Sequence, residues 1–454
     1  MKSIIAKSTW FVDSDLRLDA SYHLSDTNRI KHIFSTLPYL FTTIQKQSEK
    51  IFSGNIFKRT YVKDPERGIP YITGSDMIKL DITSGKYLSK KQATGLKKLL
   101  LEKGWILVTC SGTLGNTVYT NDLFAKSIAT HDLIRIIPNN KNIKEGFLYA
   151  YLSSKYGYTL LTQSSYGGVV KHIEPHHLSN IPIPIFPTEK QQQIHDLITE
   201  SAELRVEANK MLGDAVELFE NEIGKSKVTM SSQNDIVSIS KIQNFLSRID
   251  AQYQIITQKL DNERDTTLEY RKISTLSKRI YVGNRAKRNY VENGIPFLSS
   301  SDMILFNPKR YAKQISQRTP SLNNLLVSRN DILISRSGTV GNVVIVGDDL
   351  KNSAVSEHAL RLEIDDSKIA PEYVFCYLNT KQGKIYMEAS AFGSVIITLN
   401  EDLIGNIDVP ILTKNHSDFI VSKIKIYIEK LDLATLKESQ AIQLVENEIE
   451  QWQN

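Results

Sequence analysis

Cysteine is almost missing from this chain. Only Cys110 and Cys376 occur in 454 residues, which excludes a disulfide framework, and neither sits in a zinc-type spacing. Long hydrophobic runs are missing as well. No stretch approaches the roughly 20 apolar residues that span a bilayer, and the start, MKSIIAKSTWFVDSDLRLD, breaks its apolar run with charge before a signal-peptide core forms. A cytosolic, reducing location with no membrane contact is expected. The chain also lacks the Gly-x-x-x-x-Gly-Lys-Ser/Thr loop of nucleotide hydrolysis; its loop Ser111-Gly112-Thr113-Leu114-Gly115-Asn116 has no lysine. There is no Asn/Asp-Pro-Pro-Tyr/Phe methyltransferase motif and no Gly-rich cofactor loop after a strand. A strong charge imbalance is absent too. The net charge of +6 is compatible with a polyanionic partner without requiring one.

The remaining composition, 41% hydrophobic and 23% charged, is that of an ordinary globular protein, and the length suggests two or three domains. An internal repeat organises them. Gly68-Ile69-Pro70-Tyr71 and Ser75-Asp76-Met77-Ile78 recur 226 residues later as Gly294-Ile295-Pro296-Phe297 and Ser301-Asp302-Met303-Ile304. At the same offset Ile106-Leu107-Val108-Thr109 and the Ser111–Asn116 loop match Ile332-Leu333-Ile334-Ser335 and Ser337-Gly338-Thr339-Val340-Gly341-Asn342. Arg17-Leu18-Asp19-Ala20-Ser21-Tyr22 matches Arg248-Ile249-Asp250-Ala251-Gln252-Tyr253 at an offset of 231. So many matches held in register identify a duplication.

Each copy has the same coarse layout. The apolar runs at 105–109 and 331–335 predict strands. Helical segments are expected around Tyr149–Tyr158 and Phe375–Tyr386. Each copy closes on a Pro-punctuated edge strand, 181–185 or 407–411. A long helix follows each. The first begins at Thr188, with Thr188 and Gln191 as an expected capping box. It carries Leu197, Leu204, Met211 and Leu218 at spacing seven, with Ile194, Ala208 and Ala215 beside them, a heptad seam. The second, roughly 413–453, has Ile420, Ile424, Tyr427, Leu431, Ala434, Ala441 and Val445 as its stripe. Such stripes need a partner, either each other or another chain, and facing alanines would allow close approach.

Basic segments with interleaved aromatics are the candidate binding residues. The stretch Ser277–Tyr290 holds Lys278, Arg279, Arg285, Lys287 and Arg288 with no acid; the first copy has Lys58, Arg59, Tyr61 and Lys63 in the corresponding region. Clustered cations repel unless a counter-charge such as phosphate arrives, and Arg also reads base edges; a solvated loop is the plainer reading. Lys171 is a further candidate cation. The loops containing Ser111 and Thr113, and Ser337 and Thr339, read either as phosphate nests or as tight turns, with Arg336 a base or phosphate contact. His172, His176 and His177 form the one tight histidine cluster, but the second copy lacks it, so no metal site is assigned. Asp19 and Asp250 read as structural partners of their neighbouring arginines and not as catalytic carboxylates, because no second carboxylate recurs at a fixed spacing.

The order domain, helix, domain, helix, the twin Ser-Gly-Thr-x-Gly-Asn loops, the closing Ile-Pro-Ile-Pro strand and the Glu-Lys-Gln-Gln-Gln-Ile start at Glu189–Ile194 resemble the specificity subunit of Type I restriction–modification systems. The resemblance covers essentially the whole chain. The second helix departs from it at Asn415-His416-Ser417-Asp418-Phe419-Ile420. It implies an α+β chain: two homologous mixed α/β target-recognition domains separated by two long helices that form a pseudo-twofold antiparallel coiled coil. The expected boundaries are 1–187 and 241–412 for the recognition domains, 188–224 and 413–454 for the helices, and 225–240 for a linker. Each domain is expected to read one half of a split site in double-stranded DNA, with the helices setting the gap. The two copies differ between residues 76–104 and 302–330, so different half-sites are expected. The resemblance further implies two modification subunits that use S-adenosylmethionine, and restriction or translocase subunits that use ATP and magnesium. This chain itself would carry no cofactor, no metal and no catalysis. The alternatives are a self-contained DNA methyltransferase or nuclease, and a duplicated protein-binding scaffold.

Overall fold

The computed structural model describes residues 26–82, 85–163, 172–230, 248, 250–393 and 397–452. Lys171, the Arg17–Tyr22 motif and residues 231–240 lie outside them. The chain forms two compact units, Met1–Glu203 with Leu436–Asn454, and Leu204–Thr435. No helix among the described residues is long and apolar enough to cross a membrane.

Both units repeat one topology. In the first, an antiparallel four-stranded sheet runs in the order Ser48–Ser53, Leu133–Pro138, Ile106–Thr109, Thr117–Tyr119. A second sheet runs Tyr61–Val62, Tyr87–Ser89, Gly68–Ile72, Ile128–Ala129, its last pairing parallel. The second unit repeats both orders with Ser277–Val282, Ala359–Ile364, Ile332–Ser335, Val343–Ile345 and with Tyr290–Val291, Lys313–Ile315, Ile295–Leu298, Ala354–Val355. The central strands Ile106–Thr109 and Ile332–Ser335 are buried at every position because both faces are covered. Ile332 and Ile334 face the cluster that holds Tyr373–Leu378, whereas Leu333 faces Leu298, Met303 and Val355. That alternation is the two-residue period of a strand.

The expected single helical segment is two helices in each unit, Glu145–Ser153 with Lys155–Gln163, and Pro371–Asn379 with Lys381–Ser390. A buried hydroxyl turns the corner. Thr380 accepts from the Gly383 amide at 3.1 Å and donates to the Tyr377 carbonyl at 2.6 Å; Ser154 does the same with Gly157 and Tyr151 at 3.3 and 2.6 Å. A Cβ on Gly157 would lie 2.1 Å from the Tyr151 carbonyl oxygen, and on Gly383 2.3 Å from that of Tyr377, so only glycine allows this approach. The closing strands Pro182–Pro184 and Asp408–Ile411 each sit in a two-stranded sheet, with Phe41–Thr43 and Glu269–Lys272. Every strand there is an edge, and the proline is tolerated.

The long helices are Thr188–Ile223 and Lys414–Glu450. Gln191 does not close a capping box with Thr188. Its buried amide donates to the Phe186 and Asn142 carbonyls, at 2.8 and 3.3 Å, and accepts from the Lys144 amide, because a buried side-chain amide must satisfy both of its ends. Within each unit the helix segments run antiparallel. In the first, Lys437 pairs with Glu200 at 2.8 Å and Lys190 with Glu448; in the second, Lys423 pairs with Asp214 at 3.2 Å, and Nδ1 of His416 lies 2.9 Å from the Glu222 carboxylate. The fully buried line of the first helix is Ile194, Ser201, Ala208 and Ala215, with Leu197, Leu204, Met211 and Leu218 half-buried beside it. Small side chains at the centre let backbones approach closely, and the longer ones close the flanks.

Candidate nucleic-acid interface

The basic segments superpose in a register the sequence conceals. Strand Ser48–Ser53 corresponds to Ser277–Val282 and Tyr61–Val62 to Tyr290–Val291, an offset of 229. The offset falls to 226 by Gly68 and Gly294, because Lys63–Arg67 in the first copy faces only Glu292 and Asn293 in the second. Lys58-Arg59-Thr60-Tyr61-Val62 is therefore the structural counterpart of Lys287-Arg288-Asn289-Tyr290-Val291. Arg59 lies over the Tyr71 ring at 5.5 Å and Arg288 over the Phe297 ring at 4.9 Å. Tyr61 packs on Tyr71 and Tyr290 on Phe297. Lys58, Tyr61, Lys63, Arg285, Lys287, Arg288 and Tyr290 are exposed.

The turn between the two sheets of each unit faces these cations. It comprises Thr130-His131-Asp132 in the first and Ser356-Glu357-His358 in the second. A buried arginine, Arg135 or Arg361, fixes each turn, and both are fully buried. Arg135 donates to the Thr130 and Leu133 carbonyls at 2.9 and 2.6 Å and to that of Ala129. Arg361 donates to Val355 at 2.7 Å, Leu325 at 2.9 Å and Asn324 at 2.9 Å. Burial pushes the Arg135 guanidinium down to about 10, so it remains a cation at neutral pH, held by carbonyl dipoles.

So held, the turn presents two side chains. The first meets the basic segment. Arg59 donates to Nδ1 of His131 at 3.1 Å and to the Tyr71 hydroxyl at 2.9 Å. Arg288 donates to both carboxylate oxygens of Glu357, at 3.0 and 2.8 Å, and Arg285 lies 3.9 Å from the same group. Burial opposes the Glu357 charge, but its own backbone amide and Arg288 outweigh that and hold the carboxyl below the usual carboxylate range. The second side chain meets the Ser-Gly-Thr loop. Ser111 donates to Asp132 at 2.9 Å, and Ser337 hydrogen-bonds Nδ1 of His358 at 2.7 Å.

The loops are tight turns between antiparallel strands. Gly115 and Gly341 have φ of 77° and 83°, and their amides donate to the Thr109 and Ser335 carbonyls at 3.0 Å. The Asn116 and Asn342 amides donate to the hydroxyls of those same residues. Thr113 and Thr339 are exposed at the tips, with their carbonyls accepting from the Thr109 and Ser335 hydroxyls. Arg336 is anchored: its Nε donates to the Leu399 carbonyl at 2.9 Å and its amide to that of His358 at 2.8 Å.

Basic segment, turn and loop thus meet in both units and join Arg59 to Ser111, and Arg288 and Arg285 to Arg336 and Ser337. Lys278 and Arg279 stand apart on strand Ser277–Val282. Arg279 stacks on Tyr281 at 3.7 Å, as Lys50 stacks on Phe52 at 4.4 Å; at about 3.4 Å per residue, Arg279 precedes the strand end by about 10 Å. His131, Asp132, Glu357 and His358 are absent from the sequence reading because their identities differ between copies. Their signal was the flanking repeat, Ser127 to Arg135 against Ser353 to Arg361. His177 closes a helix cap, its Nδ1 accepting from the Glu174 amide at 2.9 Å, and no metal-type cluster occurs among the described residues. Asp250 pairs with Arg248 at 2.6 Å and caps helix Ala251–Asn262 by accepting from the Tyr253 amide, a structural use.

The family model for the Type I restriction modification DNA specificity domain matches residues 42–218 and again 273–444, well over half of the chain. Similar solved structures include the Type I restriction-modification S subunit from M. genitalium, 14% identical over 91% of this chain and 96% of that one, with a TM-score of 0.36. The HsdS subunit from Thermoanaerobacter tengcongensis is 12% identical over 92% and 97%, with a TM-score of 0.28. No curated protein matches the sequence.

Proposed function

The chain belongs to the Type I restriction modification DNA specificity family, and from that premise we propose how its two domains divide the reading of DNA. It is the DNA sequence-recognition subunit and is not catalytic. Each domain, 1–187 and 241–412, reads one half of a bipartite site in double-stranded DNA. The reading face consists of Lys58, Arg59, Tyr61, Lys63, Ser111 and Thr113 in one domain, and Arg285, Lys287, Arg288, Arg336, Ser337 and Thr339 in the other. Lys278 and Arg279 serve as phosphate contacts beside that face. The long helices set the gap between half-sites and dock two modification subunits, which bring S-adenosylmethionine; restriction or translocase subunits bring ATP and magnesium. The assembly works in the cytoplasm.

The carrying observation is the convergence, in both units, of a basic-aromatic segment and a serine-bearing loop on one arginine-pinned turn. Phosphate contacts position a protein on DNA and base-edge contacts specify; such a face offers flexible lysines for the first and braced arginines for the second. The test is a DNA titration of the purified chain with and without its modification subunit. Binding should be weak alone and greatly tightened in the complex. Tight, site-specific binding by the chain alone at physiological salt would overturn this division of labour.

A further inference from the structure

At the turn position facing the basic segment the two faces share their geometry but differ in chemistry, an imidazole in one and a carboxylate in the other, and the next position carries the acid and the histidine in the reverse order. His131 and Glu357 are equivalent, 226 residues apart, between the matched flanks Ser127 and Arg135, and Ser353 and Arg361. Each contacts the equivalent arginine, Arg59 or Arg288. Each arginine is also fixed against an aromatic ring. A guanidinium laid against a ring and hydrogen-bonded at Nη2 has its plane restrained, and a restrained plane is what bidentate reading of guanine O6 and N7 demands.

We propose that position 131/357 is a specificity determinant: it aims the arginine of its domain at one base pair and sets the charge of that contact. The proposal rests on the reading of the chain as a two-domain DNA reader. In the second domain Glu357 holds Arg288 through both carboxylate oxygens, so the pair is nearly neutral and acts through hydrogen-bond direction. Glu357 is also a candidate acceptor for the neighbouring cytosine amine. In the first domain Arg59 donates to Nδ1 of His131, so the imidazole stands where the second domain has its carboxylate, and Asp132 lies 3.5 Å from Nε2 of the same ring. The Tyr71 hydroxyl occupies Nε of Arg59, whereas Phe297 has no hydroxyl to offer and the tyrosine that hydrogen-bonds Arg288 is Tyr290, on its own segment. The two arginines therefore present different donor edges to DNA, and the half-sites differ at the base pair beneath them.

The experiment is methylation-site mapping on genomic DNA, using the complex of this chain with its modification subunit. His131→Glu should change the preferred base at one position of the first half-site and leave the second unchanged; Glu357→His should do the reverse. Glu357→Gln retains the shape and removes the charge, and should relax the same position if Glu357→His does not fold. Arg59→Lys and Arg288→Lys keep the charge but lose the fork. Each should lower discrimination at its own base pair by roughly ten- to a hundredfold. A bipartite wild-type sequence that every one of these variants leaves unaltered, or altered in the opposite half-site, overturns the proposal. A wild-type complex that methylates no fixed bipartite sequence overturns the underlying reading instead.

Discussion

Arg288 donates both of its described carboxylate contacts to Glu357, whereas Arg285, 3.9 Å from the same carboxylate, has 91% of its side chain exposed. On the proposed DNA-reading face their contributions to affinity should therefore differ in kind. A cation that neutralises a phosphate releases counterions, and its loss lowers the log–log salt slope by about 0.9. Arg285→Ala and Lys287→Ala should each lower the slope by about that amount. Arg288→Ala should lower it less but reduce affinity more, because it leaves Glu357 uncompensated beside the DNA. Equal slope changes for all three would show that Glu357 does not balance Arg288 in solution.

Stability is testable at the helix corners. Gly157→Ala and Gly383→Ala place a methyl group against backbone atoms at 2.1 and 2.3 Å, which nothing flexible can relieve. Each should cost about 1–3 kcal/mol or more, read as a drop in the thermal midpoint. Gly213→Ala is the control: it meets nothing within 4 Å in the first long helix and should stabilise by about 0.8–1 kcal/mol. Equal effects at the three positions would refute the corner geometry.

Asp349 provides a pH-dependent test. Burial, and the Asp432 carboxylate to which it hydrogen-bonds, push it up to about 7, while the Asp348 and Asp349 amides donate to Asp432 at 2.8 and 3.1 Å. Its folded value exceeds its unfolded value, near 3.9. The stabilisation is thus full below pH 4 and is lost as pH rises to about 7. Asp349→Asn should gain a few degrees in midpoint over wild type at pH 8 and show no such gain at pH 4. A constant difference across that range would place the ionisation elsewhere.

The duplication and the buried strands were legible because they rest on runs of identical or apolar residues in fixed register, such as Ile106–Thr109 and Ile332–Ser335. The match of Arg59 to Arg288 was not, since the offset is 229 there and falls to 226 only between Val62 and Gly68. Position 131/357 was invisible for the opposite reason: its register holds but its chemistry changes from imidazole to carboxylate. The seam was legible as a period of seven. Yet spacing alone does not distinguish Leu197, Leu204, Met211 and Leu218 from Ile194, Ser201, Ala208 and Ala215. Packing decided that the line of smaller residues lies at the centre. The helix corners were concealed because Ser154 and Thr380 are unremarkable residues whose hydroxyls act only once buried.

We propose that one chain reads DNA through two homologous but chemically different faces. Methylation mapping of its wild-type complex on genomic DNA tests this most directly. The expected result is one asymmetric sequence in two parts, with different half-sites separated by a gap of unspecified bases and a modified adenine in each. A single uninterrupted recognition sequence, or two identical half-sites, would contradict it.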